Sequence, residues 1–327
     1  MSIMVQTTTF TRISMKLICF LITVLLLLPV FICTVNAEKR EAPLIGVAWR
    51  RDQKAETFVA VCEALEEAGA IPVILDQVIS SDLTYEDGIL TDAIDQTGEL
   101  SGEAVKLIRC NTWQGSNVED VTEGIAAVVF PGGEDISPSL YYDPQTPKNI
   151  EGYSPERDVS DFLLMNYCLE EGIPMLAICR GMQMLCLVSG ADMVQDITDY
   201  YEEQGIDYRY DHRNEPEKPG DYRDFAYHDV SVTDKDSLLY QITGMETITD
   251  VPSWHHQAVT SVDGTRLIVS GYTETDGLEI IEAVERPDKE FALGLQFHPE
   301  IDVVREGDEA SLKYFTALIN EAVDENE

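Results

Sequence analysis

Basic residues are scarce in this sequence: 22 lysines and arginines stand against 60 aspartates and glutamates, which gives a formal net charge of −38. A chain with this excess of negative charge is repelled by the phosphates of nucleic acids and by anionic membrane surfaces. We therefore expect no nucleic-acid partner. Charge of this kind bears on solubility and partners, and it does not fix the fold or the number of subunits.

Regularly spaced cysteine pairs are also absent. The chain has seven cysteines, and no two of them form a C-x-x-C pair. An odd number at irregular spacing excludes a disulfide framework, and nothing in the spacing indicates zinc or redox chemistry. At least one thiol must stay unpaired within the chain, which suits a reactive cysteine. The five cysteines that follow residue 37 are Cys62, Cys110, Cys168, Cys179 and Cys186.

Acidic residues are missing from the first 37 positions. Arg12 and Lys16 precede an unbroken apolar run over residues 17–35, and small side chains follow at Val35 and Ala37. This order predicts a secretory signal peptide over residues 1–37. The alternative is an uncleaved membrane anchor, because nineteen apolar residues nearly span a bilayer. Either interpretation places the rest of the chain outside the cytoplasm, as a secreted, periplasmic or cell-surface protein.

Short apolar runs alternate with helical periodicity from residue 44 onward. An apolar run at 44–48 is followed by the i, i+3, i+4, i+7 spacing of a half-buried helix at 58–65 and by a second apolar run at 71–75. Further runs at 125–130 and 173–178 are typical of strands buried on both faces. A helix at about 157–170 lies between the last two runs. Strand–helix–strand units of this length predict a parallel sheet.

The second half of the chain is richer in strand signals. We predict strands at 227–232, 266–271, 278–284 and 291–297, and a C-terminal helix over 312–322. The sequence therefore predicts an α/β fold with a mostly parallel central sheet flanked by helices and with added strands in the C-terminal half.

No proline- or glycine-rich linker splits the chain, so we predict one domain over residues 38–327. An acidic insertion at about 76–124, with eleven acidic and two basic residues, is expected to form surface loops and short helices. A second loop-rich region is expected around 198–225.

The stretch AICRG, residues 177–181, has the layout of a nucleophile elbow, because an apolar strand leads through one residue into a glycine and a helix. Such a turn exposes the side chain of Cys179, and the adjacent helix N-terminus favours thiolate. Backbone N–H groups at the helix start can bind an oxyanion. Taken alone, a cysteine at the end of an apolar strand is more often a buried structural thiol. We expect that structural role for Cys186, which lies two helical turns beyond Cys179.

A cysteine nucleophile needs a base, and the chain has only five histidines. His298 ends a strand-like run in GLQFHPE, and Glu300 follows two residues later. On an extended segment these two side chains project to one face, where the carboxylate can orient the imidazole. The PGG turn at residues 131–133 follows another buried strand and can direct a backbone N–H at a negative oxygen.

Together these segments resemble the γ-glutamyl hydrolase branch, the peptidase C26 group, of the class I glutamine amidotransferase-like superfamily. The resemblance is to the subgroup of the γ-glutamyl-γ-aminobutyrate hydrolases, and it covers most of the chain after residue 38. The matching segments, in chain order, are FPGGEDISPSLY, RDVSDFLLMNYCLEEGIPMLAICRGMQ, VQDI, VPSWHHQAV, DGLEIIEAVE and GLQFHPE.

The resemblance implies a role for each matching residue. It makes Cys179 the nucleophile, His298 the general base and acid, and Glu300 the orienting carboxylate. It implies an oxyanion hole formed by the N–H groups of Gly133 and Arg180. The substrate-binding residues that it implies are Gln183, Ser253, His255 and His256. One departure bears on the substrate, because Pro252 stands where the family usually has asparagine.

The implied activity is hydrolysis of a γ-glutamyl amide in a small-molecule substrate through a glutamyl thioester, with no metal and no organic cofactor. Two alternatives stay open: an amidotransferase subunit that supplies ammonia to a synthase, and a non-catalytic protein that binds γ-glutamyl compounds. A zinc site formed by His228, His255 and His256 is disfavoured, because adjacent side chains on a strand point to opposite faces.

Overall fold

The computed structural model describes residues 42–146, 148–215, 218 and 224–324. The predicted signal peptide lies outside these residues. Within these ranges, every helix is too short or too polar to cross a bilayer.

The centre of the described chain is a mixed sheet, half of which is parallel. The parallel strands, in spatial order, are β2 (Ile71–Ile74), β1 (Leu44–Val47), β5 (Ala127–Phe130), β6 (Met175–Ile178) and β11 (Ala292–Leu295). Every residue of β5, β6 and β11 is buried. Burial on both faces explains their continuous apolar sequences and confirms the predicted central strands.

The other half of the same sheet is antiparallel and comes from the second half of the chain. From β11 outward the order is β10 (Leu278–Glu285), β9 (Ile268–Thr275), β7 (Ala226–Val232) and β8 (Thr247–Ser253). These are the added strands that the sequence predicted, together with β8, which the sequence did not predict. The predicted α/β class is therefore confirmed.

Helices cover both faces of the sheet. On one face α4 (Pro155–Glu171) and α5 (Arg180–Val188) contribute to the same core as Val128 and Phe130 of β5. On the other face α1 (Glu56–Glu67) and α9 (Glu309–Asp324) pack with the alternate β5 residues, Ala127 and Val129. The alternation along β5 is that of a strand whose successive side chains point to opposite faces. The shorter helices are α2 (Gly102–Asn111), α3 (Val118–Val121), α6 (Ile197–Glu203), α7 (Leu238–Thr243) and α8 (Pro299–Glu306).

The acidic segment at 76–124 contains the expected short helices, α2 and α3, and also a hairpin that was not expected, formed by β3 (Tyr85–Glu86) and β4 (Ile89–Leu90). It is not confined to the surface, however. Buried side chains from this segment, among them Leu100 and Ile108, belong to the core beneath α4. Elements of two to ten residues are too short to show a clear period, which is why the sequence suggested only loops and short helices. The region around 198–225, which was expected to be rich in loops, begins with the helix α6.

Candidate active site

Three segments that the sequence singled out meet at one edge of the parallel sheet. The PGG turn follows β5, Cys179 follows β6, and His298 follows β11, and these three strands are neighbours. Because the strands are parallel, their carboxyl ends lie at the same edge, where ligands of open α/β sheets bind. The strand order therefore brings together residues that are far apart in sequence.

Cys179 lies on a strained turn between β6 and α5. Its φ of 51° and ψ of −105° fall in a region that residues other than glycine rarely adopt. Its N–H donates to the carbonyl of Leu295 in β11 at 2.6 Å, which anchors the turn to the sheet. A Cβ on Gly181 would lie 2.3 Å from the carbonyl oxygen of Phe130, so only glycine lets α5 start this close to β5.

Two other cysteines near this turn are packed in the core. Cys186 on α5 and Cys168 on α4 are both fully buried. Burial raises the pKa of both thiols, because an apolar environment disfavours thiolate. Cys186 is thus a packed thiol, as the sequence predicted. Cys179 is also buried, with 6% of its surface accessible, and is not exposed by the turn as expected, although it lines the cavity described below.

The imidazole of His298 is hydrogen-bonded to the carboxylate of Glu300, with Nδ1 and Oε1 2.7 Å apart. Both side chains are buried. The local geometry differs from the expected extended segment: His298 is the residue before α8, and Glu300 lies in the first turn of that helix. A helix N-terminus favours a carboxylate there, so the turn both places and stabilises the charge of Glu300.

The electrostatics of this pair favour a charged imidazole. Burial by itself lowers the pKa of His298, but the charge of Glu300 and the thiol of Cys179 act in the opposite direction and together raise it to about 10. An imidazole with that pKa is protonated at neutral pH. A protonated imidazole beside a cysteine stabilises the thiolate, which is the nucleophilic form.

Arg157 holds the PGG turn in position, a role that the sequence did not predict. Arg157 of α4 donates to the carbonyl oxygens of Pro131 at 2.7 Å and of Gly132 at 3.1 Å, and pairs with Glu134 at 2.9 Å. A Cβ on Gly132 would lie 2.8 Å from Cε1 of His298, so the turn also packs against the imidazole. The only sequence signal for Arg157 was its place in the R-D pair of the matching segment.

The two predicted oxyanion donors lie at this turn and at the start of α5. Arg180 is the first residue of α5, where a backbone N–H has no acceptor inside the helix. Its side chain points the other way, into the core, where it pairs with Asp158 at 2.6 Å and with Asp161. Gly133 lines the cavity above Cys179. The side chain of Arg180 thus fixes α5, and Arg180 is not among the described residues that line the cavity.

A cavity of about 360 Å³ opens over these groups. It is the size expected of a small-molecule site. Both charge signs are represented in its wall, where they pair with one another: Arg50 with Glu134, Arg213 with Glu151 and His256 with Asp135. The residues that line it are Arg50, Ala55, Glu56, Thr57, Gly133, Glu134, Asp135, Glu151, Gly152, Cys179, Gln183, Arg213, Phe225, Trp254, His255, His256, Gln257 and His298.

Three of the four predicted substrate-binding residues line this cavity, namely Gln183, His255 and His256. The amide nitrogen of Gln183 lies 3.3 Å from the carbonyl of Gln257 and 3.3 Å from Oε1 of Gln296. These contacts hold its side chain against the cavity wall.

His256 lies between Asp135 and Asp196, at 3.1 and 3.2 Å. Burial lowers the pKa of His256, but hydrogen bonds to these two carboxylates outweigh it and raise the pKa to about 9. His256 therefore contributes a positive charge to the cavity at neutral pH.

The fourth residue predicted to bind substrate, Ser253, does not face the cavity. Its side chain is fully buried, its hydroxyl donates to the carbonyl of His212 at 2.9 Å, and it is not among the described residues that line the cavity. Pro252, which stands where asparagine is usual, is also buried in β8. Its carbonyl accepts from the N–H of His298 at 2.8 Å, a contact that needs no side-chain amide. Both residues therefore support the wall of the site from behind.

Comparison with known proteins agrees with this geometry. The peptidase C26 family model matches residues 91–300. The protein NtpR of Enterococcus hirae is 35% identical over 178 residues, which are 54% of this chain and 67% of NtpR. A γ-glutamyl-γ-aminobutyrate hydrolase of Escherichia coli O157:H7 is 31% identical over 186 residues, which are 57% of this chain and 68% of that protein.

Among solved structures, the glutaminase domain of Trypanosoma brucei CTPS with bound acivicin is similar with a TM-score of 0.50 and 15% identity, over 86% of this chain and 94% of that domain. At that identity the likeness shows the fold alone, which is that of the class I glutamine amidotransferases. The family match spans the PGG turn, the cysteine turn and the His-Pro-Glu segment that meet at the sheet edge. This chain therefore belongs to the peptidase C26 family.

Proposed function

We propose that this protein hydrolyses γ-glutamyl amide bonds, with Cys179 as nucleophile, His298 as general base and acid, and Glu300 as the orienting carboxylate. The observation that carries the proposal is the arrangement of these groups beneath one cavity. Cys179 lies on a strained turn, and Glu300 and Cys179 together raise the pKa of the His298 imidazole. The carboxylate of Glu300 lies 2.7 Å from that imidazole. Covalent acyl transfer requires this order of groups. The γ-glutamyl-γ-aminobutyrate hydrolase relative supports the substrate class.

In the first half of the proposed reaction, the Cys179 thiolate attacks the side-chain carbonyl carbon of the γ-glutamyl group. The carbonyl electron pair moves to oxygen, where the N–H groups of Arg180 and Gly133 stabilise the negative charge. When the intermediate collapses, the C–N bond breaks and His298 gives its proton to the departing amine. The products are the free amine and a thioester between Cys179 and the glutamyl group.

In the second half, water attacks the thioester carbonyl while neutral His298 accepts a proton from it. The C–S bond breaks, glutamate leaves, and the thiolate–imidazolium pair is restored. Glu300 orients His298 and stabilises its imidazolium form, as the acid of a triad does.

The charges around the cavity suit a glutamyl group with a free α-amino acid head. That head carries one ammonium and one carboxylate, so it requires partners of both signs. Arg50, Arg213 and His256 can exchange their present carboxylate partners for the carboxylate of the head, and Glu134 and Asp135 can then pair with the ammonium. A free γ-glutamyl head thus fits the wall better than an apolar acyl group does.

The test is a screen of hydrolysis over γ-glutamyl amides, dipeptides and polyglutamates, with release of glutamate as the signal. We expect Cys179→Ala to abolish turnover. Cys110→Ser is the matched control, because Cys110 is exposed and lies outside the cavity lining, and it should keep the wild-type kcat/KM. An unchanged rate in Cys179→Ala would refute the mechanism.

Two further outcomes separate the alternatives. A thiol-reactive glutamine analogue should add its mass to the peptide that contains Cys179 and to no other cysteine peptide. Tight binding of γ-glutamyl compounds without labelling or turnover would favour a binding protein. Release of ammonia from glutamine, with no cleavage of secondary γ-glutamyl amides, would favour an amidotransferase subunit.

A further inference from the structure

A second cluster of reactive side chains lies next to the cavity and has no part in the proposed hydrolysis. His212, His228, His255 and Glu282 each contribute one potential ligand atom, and these four atoms all lie within 4.8 Å of one another. They come from four separate segments: the loop after α6, strand β7, the segment after β8, and strand β10. All four side chains are buried, and the most exposed, His228, is 6% accessible.

The carboxylate of Glu282 faces all three imidazoles. Its Oε1 lies 3.2 Å from Nδ1 of His212 and 3.6 Å from Nε2 of His255, and its Oε2 lies 3.7 Å from Nε2 of His228. Within the described part of the chain, none of these atoms has a hydrogen-bond partner of acceptable geometry. Ligand atoms of a tetrahedral zinc ion, with bonds of about 2.0–2.1 Å, lie about 3.3–3.4 Å apart. The distances to Glu282 approach this spacing, and the four ligand atoms, all within 4.8 Å of one another, would have to close by up to about 1.5 Å around an ion.

In two of the three histidines, the opposite ring nitrogen is already engaged. Nδ1 of His255 lies 2.8 Å from the carbonyl oxygen of Gln257, and Nδ1 of His228 lies 3.3 Å from that of Asp229. A carbonyl accepts a hydrogen, so these contacts assign the ring hydrogen to Nδ1 and leave the lone pair of Nε2 directed at Glu282. Histidines that bind metals are oriented in this way by a backbone carbonyl or a carboxylate.

No such contact assigns the ring hydrogen of His212. Its Nε2 lies 3.7 Å from Oδ1 of Asp211, beyond hydrogen-bond distance, and Thr275 donates to the other oxygen of that carboxylate at 2.9 Å. At least two imidazole lone pairs, those of His228 and His255, then face a buried carboxylate, which is a repulsive arrangement. Such a cluster is stabilised only by a positive charge between its members, either a bound cation or a proton on an imidazole.

We propose that His212, His228, His255 and Glu282 bind one divalent transition-metal ion, for which zinc has the matching preference for imidazole nitrogen and carboxylate oxygen in a tetrahedron. Four protein ligands leave no open position, so the ion is structural rather than catalytic. It joins the loop that carries His212 to β7 and β10 and holds the segment at His255, which lines the cavity.

This site differs from the histidine set that the sequence suggested and disfavoured. The rings of His255 and His256 do point apart, one to Glu282 and the other to Asp135 and Asp196. The two remaining ligands, His212 and Glu282, are far from His255 in sequence, and only the folded chain brings them to it.

The test uses the untagged full chain, stripped with a chelator, and Zn²⁺ alone as the probe in competition with a chromophoric chelator. We expect one ion per chain, not displaced by millimolar Mg²⁺ or Ca²⁺, because imidazole sites prefer transition metals. This requirement separates the site from loose binding by the many surface carboxylates. Glu282→Gln and His228→Gln should each weaken binding by more than about 100-fold, beyond the loss seen for residues that only orient ligands.

His256→Gln is the matched control, because it removes a neighbouring histidine that faces away from the cluster; it should bind Zn²⁺ as the wild type does. Cys179→Ala should also keep the ion, which separates this proposal from the proposed hydrolysis. If the ligand variants do not fold, the wild-type protein loaded with Co²⁺ decides, because its absorption spectrum must show a four-coordinate ion without thiolate. Substoichiometric zinc, a thiolate signature, or unchanged affinity in both ligand variants would overturn the proposal.

Discussion

The guanidinium of Arg157 donates a hydrogen bond to the carbonyl oxygen of Pro131 at 2.7 Å, so a fully buried arginine holds the turn whose Gly133 lines the cavity. A Cβ on Gly133 would lie 1.9 Å from the same guanidinium, which leaves no space between turn and side chain. Asp161 lies 3.3 Å from Nε and balances the charge. The position of the Gly133 N–H therefore depends on this arginine.

The first prediction concerns Arg157→Lys. Lysine keeps the charge but is a point donor that cannot reach the carbonyls of Pro131 and Gly132 together. The turn should shift by a fraction of an ångström to an ångström, and a misplacement of that size costs about 10²-fold in rate. We expect kcat for γ-glutamyl hydrolysis to fall by about that factor, with a smaller change in KM, in steady-state kinetics.

Arg286→Lys provides the control for that experiment. Arg286 is another buried arginine that makes a two-pronged contact, with Asp288 at 2.8 Å, and it lies outside the cavity lining. The Arg286→Lys variant should show any loss of stability that comes from replacing a buried arginine by lysine, but it should keep the kcat of the wild type. A wild-type kcat in Arg157→Lys, with folding verified by circular dichroism, would contradict the assigned role of Arg157.

A second prediction concerns Glu300→Gln. An amide cannot compensate the imidazolium, and it permits the wrong tautomer of His298. We expect a fall in kcat/KM of about 10²–10⁴-fold, the range for losing the orienting acid of a triad. The pKa of His298 should also fall, because the charge of Glu300 helps to raise it. Alkylation of Cys179 at neutral pH should therefore become slower, which mass spectrometry of the cysteine peptide can follow.

Glu306→Gln is the control for the change of charge. Glu306 is the last residue of the same helix α8, is exposed, and lies outside the cavity lining. The variant should keep kcat/KM and the rate of alkylation close to those of the wild type. Equal effects of the two substitutions would indicate a general field effect rather than orientation of His298.

Much of the fold and the position of the site follow from local sequence. Buried parallel strands have continuous apolar sequences, so β5, β6 and β11 are recognisable, and the residues after their carboxyl ends must meet. The strand-to-helix turn at Cys179 is recognisable because Gly181 permits the close approach to Phe130. These are properties of single segments together with one rule of sheet topology.

Other features depend on side chains that only the folded chain brings together. The cluster of His212, His255 and Glu282 joins a loop, a strand end and another strand, and no local pattern links them. The hydrogen bond from the hydroxyl of Ser253 to the carbonyl of His212 also joins segments that are far apart in sequence, so no local pattern predicts it. The β8 strand was missed because it lies at the edge of the sheet, where four of its seven residues are at least partly exposed and the apolar pattern is weak.

The third prediction tests the close contact at the start of α5. Gly181→Ala would place a methyl group 2.3 Å from the carbonyl of Phe130, and a backbone oxygen in a central strand cannot move aside easily. We expect a loss of at least about 1–3 kcal/mol in the free energy of unfolding, from overpacking. Activity should fall as well, because Cys179 moves with α5. Urea denaturation and turnover measure both.

Gly102→Ala is the matched substitution. Gly102 is also in the first turn of a helix, α2, and a Cβ there would meet nothing within 4 Å. Alanine should leave stability unchanged or raise it by up to about 1 kcal/mol, by restricting the unfolded chain. Equal losses at the two glycines would show that the contact with Phe130 is not the cause.

The last prediction concerns the pH dependence of stability that the buried His298–Glu300 pair confers. The pKa of His298 is raised from its ordinary 6.5 to about 10, so the folded protein holds this proton more tightly than the unfolded chain does. The stabilisation is complete below pH 6.5 and is lost as the pH rises towards the folded-state value. It amounts to a few kcal/mol at most, on the order of 1.4 kcal/mol per pKa unit.

The measurement is best made in a Cys179→Ala background, so that ionisation of the thiol does not contribute. Without Cys179 the folded-state pKa of His298 is lower, and Glu300 is then the group that raises it against the opposing effect of burial. We expect Cys179→Ala to be more stable than Cys179→Ala/His298→Gln at pH 6, and the difference between the two unfolding free energies to shrink steadily from pH 6.5 to 9.5. Subtracting the two proteins cancels the tyrosines and carboxylates that titrate in both. A difference that is constant or grows across this range would mean that Glu300 does not hold a charged imidazole in the folded state.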